Sequence, residues 1–246
     1  MKRFVLWLVV FLATLPAAAQ QIGEWQVYPS YWIATRNVSV GSAVYGLMNG
    51  NLLRYDTEET SVRTYDCLND LSDIHISHIA YSAAVKRLIL IYDNGNIDLM
   101  DLDDNVVNIA SLKESTLNNK TVNGVKVEGA TAYIATDFGL ITVDMEEGVI
   151  RDTYRLGIRV QALDVKDGTI YIATSVAIYR SSSADLHLLS NWVRLSGWSL
   201  AFKQMFLLGD EAYILRATTL HRLDSNGAFT TVTEGVNLLS SDRKSV

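Results

Sequence analysis

An all-β fold is the fold class that this chain of 246 residues predicts, and three observations lead to it. Segments of one layout recur, each with a short apolar run, a turn usually built on Asn or Gly, and a second apolar run. Their spacing is regular, at 44, 44, 38 and 42 residues. Helical periodicity is nearly absent. A period of about 40 to 45 residues that contains strand–turn–strand units is typical of a blade, so we predict a β-propeller with about five four-stranded blades. The spacing is measured between Tyr45, Ile89, Tyr133, Tyr171 and Tyr213.

The repeated segments are predicted to be the two middle strands of each blade. The first run of each segment is almost continuously apolar, as expected of a strand whose two faces both pack against neighbouring blades. The segments are Val44–Asp56, Leu88–Asp101, Ala132–Asp144, Ile170–Arg180 and Ala212–Asp224.

Turn residues in the third repeat divide that blade into four strands. The other repeats follow the same order, and the outermost strand of the fifth repeat is predicted at Ala228–Thr233. Trp192, Val193 and Leu195 are assigned to an outer strand of the fourth repeat in preference to a helical turn. From the innermost strand outwards, the strands of the third repeat are predicted at 122–129, 131–137, 139–148 and 149–156.

The hairpin turns within the blades differ in their residues. Asn49-Gly50 and Asn94-Gly95 suit the positive φ angles of a tight hairpin, and Gly139 occupies the equivalent place in the third repeat. The fourth repeat has Val176-Ala177 there and the fifth has Thr218-Thr219. These two turns are expected to use another geometry.

Both the architecture and the extent of the propeller have alternatives. A β-sandwich or a closed barrel contains short strands separated by turns, but the recurrence of one strand pair favours the propeller. Glu24–Tyr28 resembles an outermost strand that has no inner strands of its own, and Val236–Val246 begins an element without a partner. We therefore expect residues 20–246 to be the N-terminal part of a larger propeller, with a complete five-bladed ring as the alternative.

A secretory signal peptide is predicted at residues 1–19. Two cations precede a 12-residue apolar run from Phe4 to Leu15, which is followed by Pro16 and by the small residues Ala17 and Ala19. The run is shorter than the roughly 20 residues that a membrane-spanning helix needs, and no later stretch approaches that length. The chain is therefore expected in the periplasm or at the cell surface, associated with the outer membrane.

The composition is that of a folded globular protein, with 49% hydrophobic and 20% charged residues. With 21 basic and 27 acidic residues the formal charge is −6, which disfavours nucleic acid and anionic lipid surfaces as partners of the whole chain. The one cysteine, Cys67, is predicted to be a small core residue within a strand.

No residue pattern predicts an enzyme, a metal site or a cofactor site. His75 and His78 are three apart, so on a strand they point to opposite faces and are interpreted as structural. Asp101–Asn105 lacks the glycine and the distal glutamate of a calcium loop and is interpreted as a solvated hairpin tip. Ser181–Ser183 is interpreted as a polar loop without a nucleophile elbow. Binding residues are not assigned by the sequence.

Aromatic residues cluster shortly after the predicted signal peptide. Packing between blades is the preferred interpretation of this cluster, with a ligand platform as the alternative. Trp192 and Trp198 flank a strand junction and are interpreted in the same way. The cluster comprises Trp25, Tyr28, Tyr31 and Trp32.

The stretch from Gly23 to Ile79 resembles the N-terminal β-propeller domain of PorZ-type proteins of the type IX secretion system. The sequence WQVYPSYWIATRNV followed by NGNLLRYD carries the resemblance, and LILIYDNGNIDLMDLDDN and AYIATDFGLITVD extend it. The resemblance implies a non-catalytic surface module that binds anionic lipopolysaccharide and works with a PorU-like sortase. No family motif assigns a binding role to a numbered residue of this chain.

A second interpretation is the extracytoplasmic sensor propeller of a two-component regulator, which binds glycan or another ligand. Blades of such sensors also read like AYIATDFGLITVD. A propeller lyase or hydrolase has no supporting set of acids or metal ligands.

Overall fold

A computed structural model describes residues 28–196, 202–209, 211–224 and 227–236. In these residues 20 strands form five four-stranded antiparallel sheets, each built from four consecutive strands and arranged as a blade in a ring. The predicted β-propeller is therefore confirmed. In the described part of the chain, no helix is long and apolar enough to cross a membrane.

Residues 65–75, which contain no strand, connect the first blade to the second. A single turn of helix, α1 (Ser111–Glu114), leads from the second blade to the third. The strands are β1 (Ala34–Val40), β2 (Ala43–Met48), β3 (Asn51–Asp56) and β4 (Ser61–Thr64) in the first blade, and β5 (Ile76–Ser82), β6 (Arg87–Tyr92), β7 (Ile97–Asp101) and β8 (Val106–Ile109) in the second.

The remaining three blades repeat this order, and the four predicted strands of the third repeat are confirmed within one to four residues. The outermost strand predicted for the fifth repeat is also found. In the fourth repeat Val193 and Leu195 lie in the outer strand as predicted, whereas Trp192 precedes that strand and ends a 3₁₀-helical turn at Leu189–Asn191, so its assignment to the strand was wrong. The third blade contains β9 (Val122–Glu128), β10 (Thr131–Thr136), β11 (Gly139–Asp144) and β12 (Val149–Arg155), the fourth β13 (Val160–Lys166), β14 (Thr169–Thr174), β15 (Ile178–Ser182) and β16 (Val193–Ser196), and the fifth β17 (Phe202–Leu208), β18 (Glu211–Arg216), β19 (Thr219–Leu223) and β20 (Phe229–Thr233).

The core of the molecule lies between the blades. Four buried apolar clusters each join two consecutive blades, from the first to the fifth. Ile89, Ile134 and Ile172 in the second strands of the middle blades are fully buried. Burying a side chain of this size contributes about 1.5–3 kcal/mol, so the apolar second strands noted in the sequence stabilise the stacking of the blades.

The first and fifth blades are buried differently from the three between them. Every residue of β6 after Arg87 is buried, whereas burial alternates along β2, where Val44 and Met48 stay half-exposed. In β18 Tyr213 also stays half-exposed. Among the described residues no buried apolar cluster joins the fifth blade to the first. We call this boundary the seam.

The hairpin turns agree in part with the prediction. Asn49 and Gly50 both have positive φ, at 50° and 76°, as expected for a tight hairpin. Of the pair Asn94-Gly95 in the second blade only Gly95 has a positive φ, at 85°, so the expectation for Asn94 was wrong. The Asn94 side-chain oxygen instead accepts the Asn96 N–H at 2.9 Å, which closes the turn through a side chain.

The turns of the fourth and fifth blades use other geometries, as predicted. In the fourth blade the Thr174 hydroxyl donates to the Ala177 carbonyl at 2.8 Å and accepts the Ala177 N–H at 3.1 Å. In the fifth blade Ala217 takes the positive φ, at 48°.

Three residues lie elsewhere than the sequence suggested. Cys67 is half-exposed in the turn after β4, so its assignment to the core of a strand was wrong. Ser181 and Ser182 end β15 instead of lying in a loop, and the buried Ser181 hydroxyl donates to the Asp185 carbonyl at 2.7 Å. The hydroxyl therefore fixes the next turn.

Candidate binding site

A β-bulge interrupts the start of every innermost strand. In β1 the register shifts between Ala34 and Arg36, so Thr35 has no partner on β2. The same shift occurs once in each of the other four blades. A bulge leaves one residue unpaired and redirects its side chain, and bulges are frequent beside functional sites. The five bulge residues are Thr35, Ser77, Asn123, Gln161 and Lys203.

The first four bulge residues bind backbone groups. The hydroxyls of Thr35 and Ser77 donate to carbonyls of their own blade, at 3.2 and 3.1 Å. Asn123 and Gln161 reach the next blade, where one donates to the Val160 carbonyl and the other accepts the Phe202 N–H. These contacts fix the orientation of neighbouring blades at one end of the ring.

Lys203, the fifth bulge residue, differs from the others. Its side chain is exposed and makes no hydrogen bond or ion pair with any residue in the described ranges. Since the bulge places Lys203 where Asn123 and Gln161 reach towards the next blade, its ammonium group stands at the seam.

A channel of about 400 Å³ runs between the innermost strands of all five blades. Its charged lining residues are Arg36, Lys126, Asp164 and Lys203. Asp164 is fully buried, accepts the Leu207 N–H at 2.6 Å and lies 3.6 Å from the Lys126 ammonium group. The Lys126 charge is therefore compensated, whereas Arg36 and Lys203 form no ion pair with any carboxylate of the described residues.

A second cavity, of about 510 Å³, opens at the seam and shares Arg36 and Lys203 with the channel. We call it the seam cleft. Its other charged or titratable lining residues are His75 and Asp93. Like Arg36 and Lys203, both are exposed. The Arg36 Nε donates to the Ser77 carbonyl at 3.0 Å, which leaves the two terminal nitrogens of the guanidinium group without a partner in the described structure.

His78 lies behind this cleft in β5 and is 5% exposed. Its Nδ1 is 3.0 Å from the Ser77 hydroxyl. Burial, and then the nearby Arg36 charge, lower the pKa of His78 to about 3. The imidazole is therefore neutral at physiological pH, and Arg36 retains its positive charge beside it.

The two histidines of the sequence analysis occupy different environments. His75 precedes β5, is exposed and has a positive φ of 60°, whereas His78 is buried within the strand. In the described part of the chain no group of three or more His, Cys, Asp or Glu residues is arranged to hold a metal ion.

The acidic segment after β7 forms a hairpin tip, as interpreted from the sequence. The Asp101 carboxylate accepts the N–H groups of Asp103 and Asn105 and the Asn105 side-chain amide, each at 2.9 Å. The hydrogen bond from the Asn105 side chain is the main cause that lowers the pKa of Asp101. Asp104 accepts the Tyr65 hydroxyl at 2.7 Å. The carboxylates therefore organise the turn.

The aromatic cluster does not pack as expected. Tyr28 and Trp32 are 81% and 89% exposed, so interblade packing was the wrong interpretation for them. The Ile33 carbonyl next to Trp32 accepts the N–H of Asn49, a residue of the seam cleft, at 3.1 Å. Trp192 is buried, as interpreted, while Trp25 and Trp198 lie outside the described residues.

The sequence analysis missed Arg36, Lys203 and the bulges. A signal was available, because the second residue of each innermost strand is polar in all five blades. Arg36 and Lys203 are suited to holding an anionic ligand, since guanidinium and ammonium groups form charge-assisted hydrogen bonds to phosphate and carboxylate.

Comparison with known proteins gave one family match. The family model described as "TSS9, PorZ, N-terminal beta-propeller domain" matches residues 44–193. No curated protein matches the sequence of this chain.

Several solved structures share the fold. PorZ, described as an essential bacterial surface component of the type IX secretion system of Porphyromonas gingivalis, superposes with a TM-score of 0.74 at 24% identity, over 84% of this chain and 29% of that chain. The extracellular domain of the putative hybrid two-component system BT3049 from B. thetaiotaomicron gives 0.62 at 17% identity, over 89% of this chain and 30% of that chain. This chain thus spans less than a third of the length of either structure.

Proposed function

Because the chain belongs to the family of PorZ N-terminal β-propeller domains of the type IX secretion system, we propose that it is a non-catalytic binding and scaffold module of a cell-surface secretion component. In this role it holds anionic lipopolysaccharide and brings it to the surface sortase, a PorU-like protein. The proposed location is outside the cytoplasm, at the cell surface, because PorZ is a bacterial surface component and the BT3049 domain is extracellular.

The observation that carries the proposal is the pair of uncompensated cations, Arg36 and Lys203, shared by the channel and the seam cleft. The chain as a whole is acidic, with a formal charge of −6. A concave site lined by cations concentrates the positive potential locally and attracts an anion to that place on an otherwise repelling surface. Anionic lipopolysaccharide supplies such a group.

A binding measurement tests the proposal. The full chain is exposed to immobilised anionic lipopolysaccharide and to neutral lipopolysaccharide, and binding is followed by surface plasmon resonance. We expect selective binding of the anionic form that weakens as salt screens the charges. A double substitution, Arg36→Gln with Lys203→Gln, should weaken it by at least tenfold, whereas Arg180→Gln, at an exposed arginine outside both cavities, should not.

Two further measurements complete this test. Trp32→Ala should reduce the affinity if the exposed ring stacks on a sugar, without changing the free energy of unfolding by more than about 0.5 kcal/mol. Co-purification of the sortase with the chain tests the delivery role. Equal binding of neutral and anionic lipopolysaccharide would remove the support for this function.

A second candidate is the sensor propeller of a two-component regulator, which the similarity to the BT3049 extracellular domain favours. This candidate predicts that the coding region continues into a transmembrane helix and a kinase. The secretion component predicts continuation into a second propeller and a β-sandwich. Sequencing the coding region beyond the codon for Val246 distinguishes the two.

A further inference from the structure

The turns of the blades form two opposite ends of the ring. Because the four strands of a blade are consecutive and antiparallel, its first and third turns lie at one end, and its second turn and the connection to the next blade lie at the other. The bulge residues stand at the second of these ends, which we call the bulge end. At the first end the Ser82 hydroxyl donates to the Gly129 carbonyl at 2.6 Å, and the Lys166 ammonium group donates to the Gly209 carbonyl at 2.8 Å. The first turns of successive blades therefore meet there.

The end opposite the bulges is strongly acidic, and we call it the carboxylate end. In the described part of the chain its turns contain nine Asp or Glu residues but only one Lys or Arg residue, Lys86. Six of the nine acidic residues are exposed and form no ion pair with a described residue, so their charges face the solvent uncompensated. These six are Glu58, Glu59, Asp103, Glu146, Glu147 and Asp185.

Capping carboxylates hold these charges in place. The Asp56 side chain accepts the N–H groups of Glu58 and Glu59 at 3.0 and 3.2 Å, which fixes this acidic pair at the tip of the turn. Asp101 and Asp144 accept N–H groups of the corresponding turns in the second and third blades. Three neighbouring blades thus present acidic turn tips in the same direction.

The bulge end has no such excess of negative charge. Within the described ranges, three exposed cations and three exposed carboxylates at this end form no ion pair. The cations are Arg36, Arg155 and Lys203, and the carboxylates are Asp93, Glu114 and Glu234.

The two ends act almost independently on a charged surface. The innermost strand Ala34–Val40 has seven residues, and a strand rises by about 3.3 Å per residue, so the ends lie roughly 20 Å apart. The Debye length at physiological ionic strength is about 8 Å. Carboxylates at the far end are therefore screened from an anionic surface, whereas the same carboxylates facing that surface are repelled by it.

We infer that the chain lies on an anionic membrane surface with its bulge end towards the lipid headgroups and its carboxylate end facing away. The formal charge of −6 disfavours such a surface for the chain as a whole, but the excess of negative charge belongs to one end. Arg36 and Lys203 at the other end form charge-assisted hydrogen bonds to lipid phosphates. The inference extends the proposed function from one anionic group to the surface that carries it, and it rests on that function for the identity of the natural lipid.

Lysine labelling on vesicles tests this orientation. The full chain is treated briefly with acetic anhydride in the presence of phosphatidylglycerol vesicles, and mass spectrometry measures the labelling of each lysine. Lys113 and Lys203 report on the bulge end, and Lys86 and Lys166 report on the carboxylate end. At low ionic strength the vesicles should lower labelling about threefold at the bulge end and less than about 1.5-fold at the carboxylate end. Equal protection of both ends, stronger protection of Lys86, or no protection would overturn the inference.

Two controls identify the surface as the cause. Phosphatidylcholine vesicles, which carry no net charge, should protect neither end and control for contacts of the apolar predicted signal peptide. Soluble inorganic phosphate at the same phosphate concentration should leave the labelling of Lys113 unchanged, because a single bound ion does not cover this end. Protection of Lys113 by free phosphate or by phosphatidylcholine as large as that by phosphatidylglycerol would contradict docking on an anionic surface.

Two triple variants of equal net charge test the role of each end. Reversing three charges at the carboxylate end should allow the chain to bind in both orientations, so that Lys86 and Lys166 become protected about twofold or more. Reversing three charges at the bulge end should keep the wild-type pattern. Circular dichroism establishes that both variants are folded, and an unprotected Lys86 in the first variant would overturn the inference. The variants are Glu58→Arg with Glu59→Arg and Glu147→Arg, and Asp93→Arg with Glu114→Arg and Glu234→Arg.

The outcome is distinguishable from that of the proposed function. If anionic lipopolysaccharide binds selectively and phosphatidylglycerol vesicles protect both ends equally, the orientation is wrong while the binding function stands. If the vesicles protect only the bulge end and anionic lipopolysaccharide is not selected, the orientation stands and the proposed ligand is wrong.

Discussion

The side-chain amide of Asn123 donates to the Val160 carbonyl at 2.9 Å, across the boundary between the third and fourth blades. The same amide nitrogen lies 2.8 Å from the Asp137 carboxylate, and the Asn123 oxygen accepts from Arg159 at 2.9 Å. One bulge residue thus connects two strands and two blades. The contact depends on the bulge, because a regularly paired residue at this point would not have its side chain directed towards the neighbouring blade.

Asn123→Ala is expected to lower the free energy of unfolding by about 1–2 kcal/mol, because three hydrogen-bond partners lose their contact. Urea unfolding followed by circular dichroism measures it. Thr35→Ala is the matched control, since Thr35 is also a bulge residue but binds only the Leu47 carbonyl of its own blade. A loss no larger than that of the control would show that the interblade contact does not stabilise the ring.

Gly139→Ala is expected to destabilise the third blade strongly. Gly139 has a φ of 144°, and a Cβ atom there would lie 2.1 Å from the Tyr154 carbonyl oxygen. Such a contact forces the backbone to move, so a loss of more than about 3 kcal/mol is expected. Gly124→Ala is the control, because no atom lies within 4 Å of its added Cβ and its φ is not positive. Thermal unfolding compares the two, and similar melting temperatures would contradict the prediction.

The stability of the protein should depend on pH through His78. Its pKa is lowered from 6.5 to about 3 in the folded state, so between these values the unfolded chain binds a proton that the folded chain does not. Lowering the pH through this range therefore favours unfolding, by about 1.4 kcal/mol per pH unit for this group. His78→Gln should reduce that slope. Urea unfolding at a series of pH values measures it, and parallel curves for the two proteins would contradict the assignment.

Asp73 adds a second pH-dependent contribution at lower pH. Burial alone would raise its pKa, but hydrogen bonds from Lys113 and Asn94 outweigh burial and hold the pKa at about 2. The depressed pKa stabilises the fold above about pH 4, and this contribution is lost as the pH falls towards 2. The slope that remains in His78→Gln should therefore appear below about pH 4.

Asp164→Asn is expected to change stability and anion binding in opposite directions. Asn weakens the hydrogen bond from the Leu207 N–H and leaves the Lys126 charge uncompensated in the channel. We expect a loss of about 1–3 kcal/mol in the free energy of unfolding and a several-fold tighter binding of phosphate, measured by calorimetry. Asp103→Asn, at the exposed hairpin tip, removes the same charge far from the channel lining and should change neither quantity.

The blade repeat was predictable because burial acts on both faces of the middle strands. Segments such as Leu88–Tyr92 read as continuous apolar runs, and their regular recurrence indicates the fold. The seam was not predictable in this way. Whether Val44 and Tyr213 are covered depends on which blades meet in space, and a single sequence does not record this.

For the candidate site, the sequence indicates only that the second residue of each innermost strand is polar. Bulges arise from the register between two strands, so the role of Lys203 follows from its alignment with Arg216 and Leu215 rather than from its own neighbours. Trp32 was misinterpreted because large aromatic residues are usually buried, and its exposure contradicts that tendency. Both errors concern residues that serve the surface rather than the core.

A bulge residue has no cross-strand partner on its own sheet, so its side chain is under little constraint from strand pairing. A substitution at such a position changes the chemical groups at this end of the ring. The backbone hydrogen bonds between the strands on either side of the bulge persist. Of the five positions, occupied here by Thr35, Ser77, Asn123, Gln161 and Lys203, the first four therefore use this freedom to bind backbone groups, while Lys203 leaves its charge exposed to solvent.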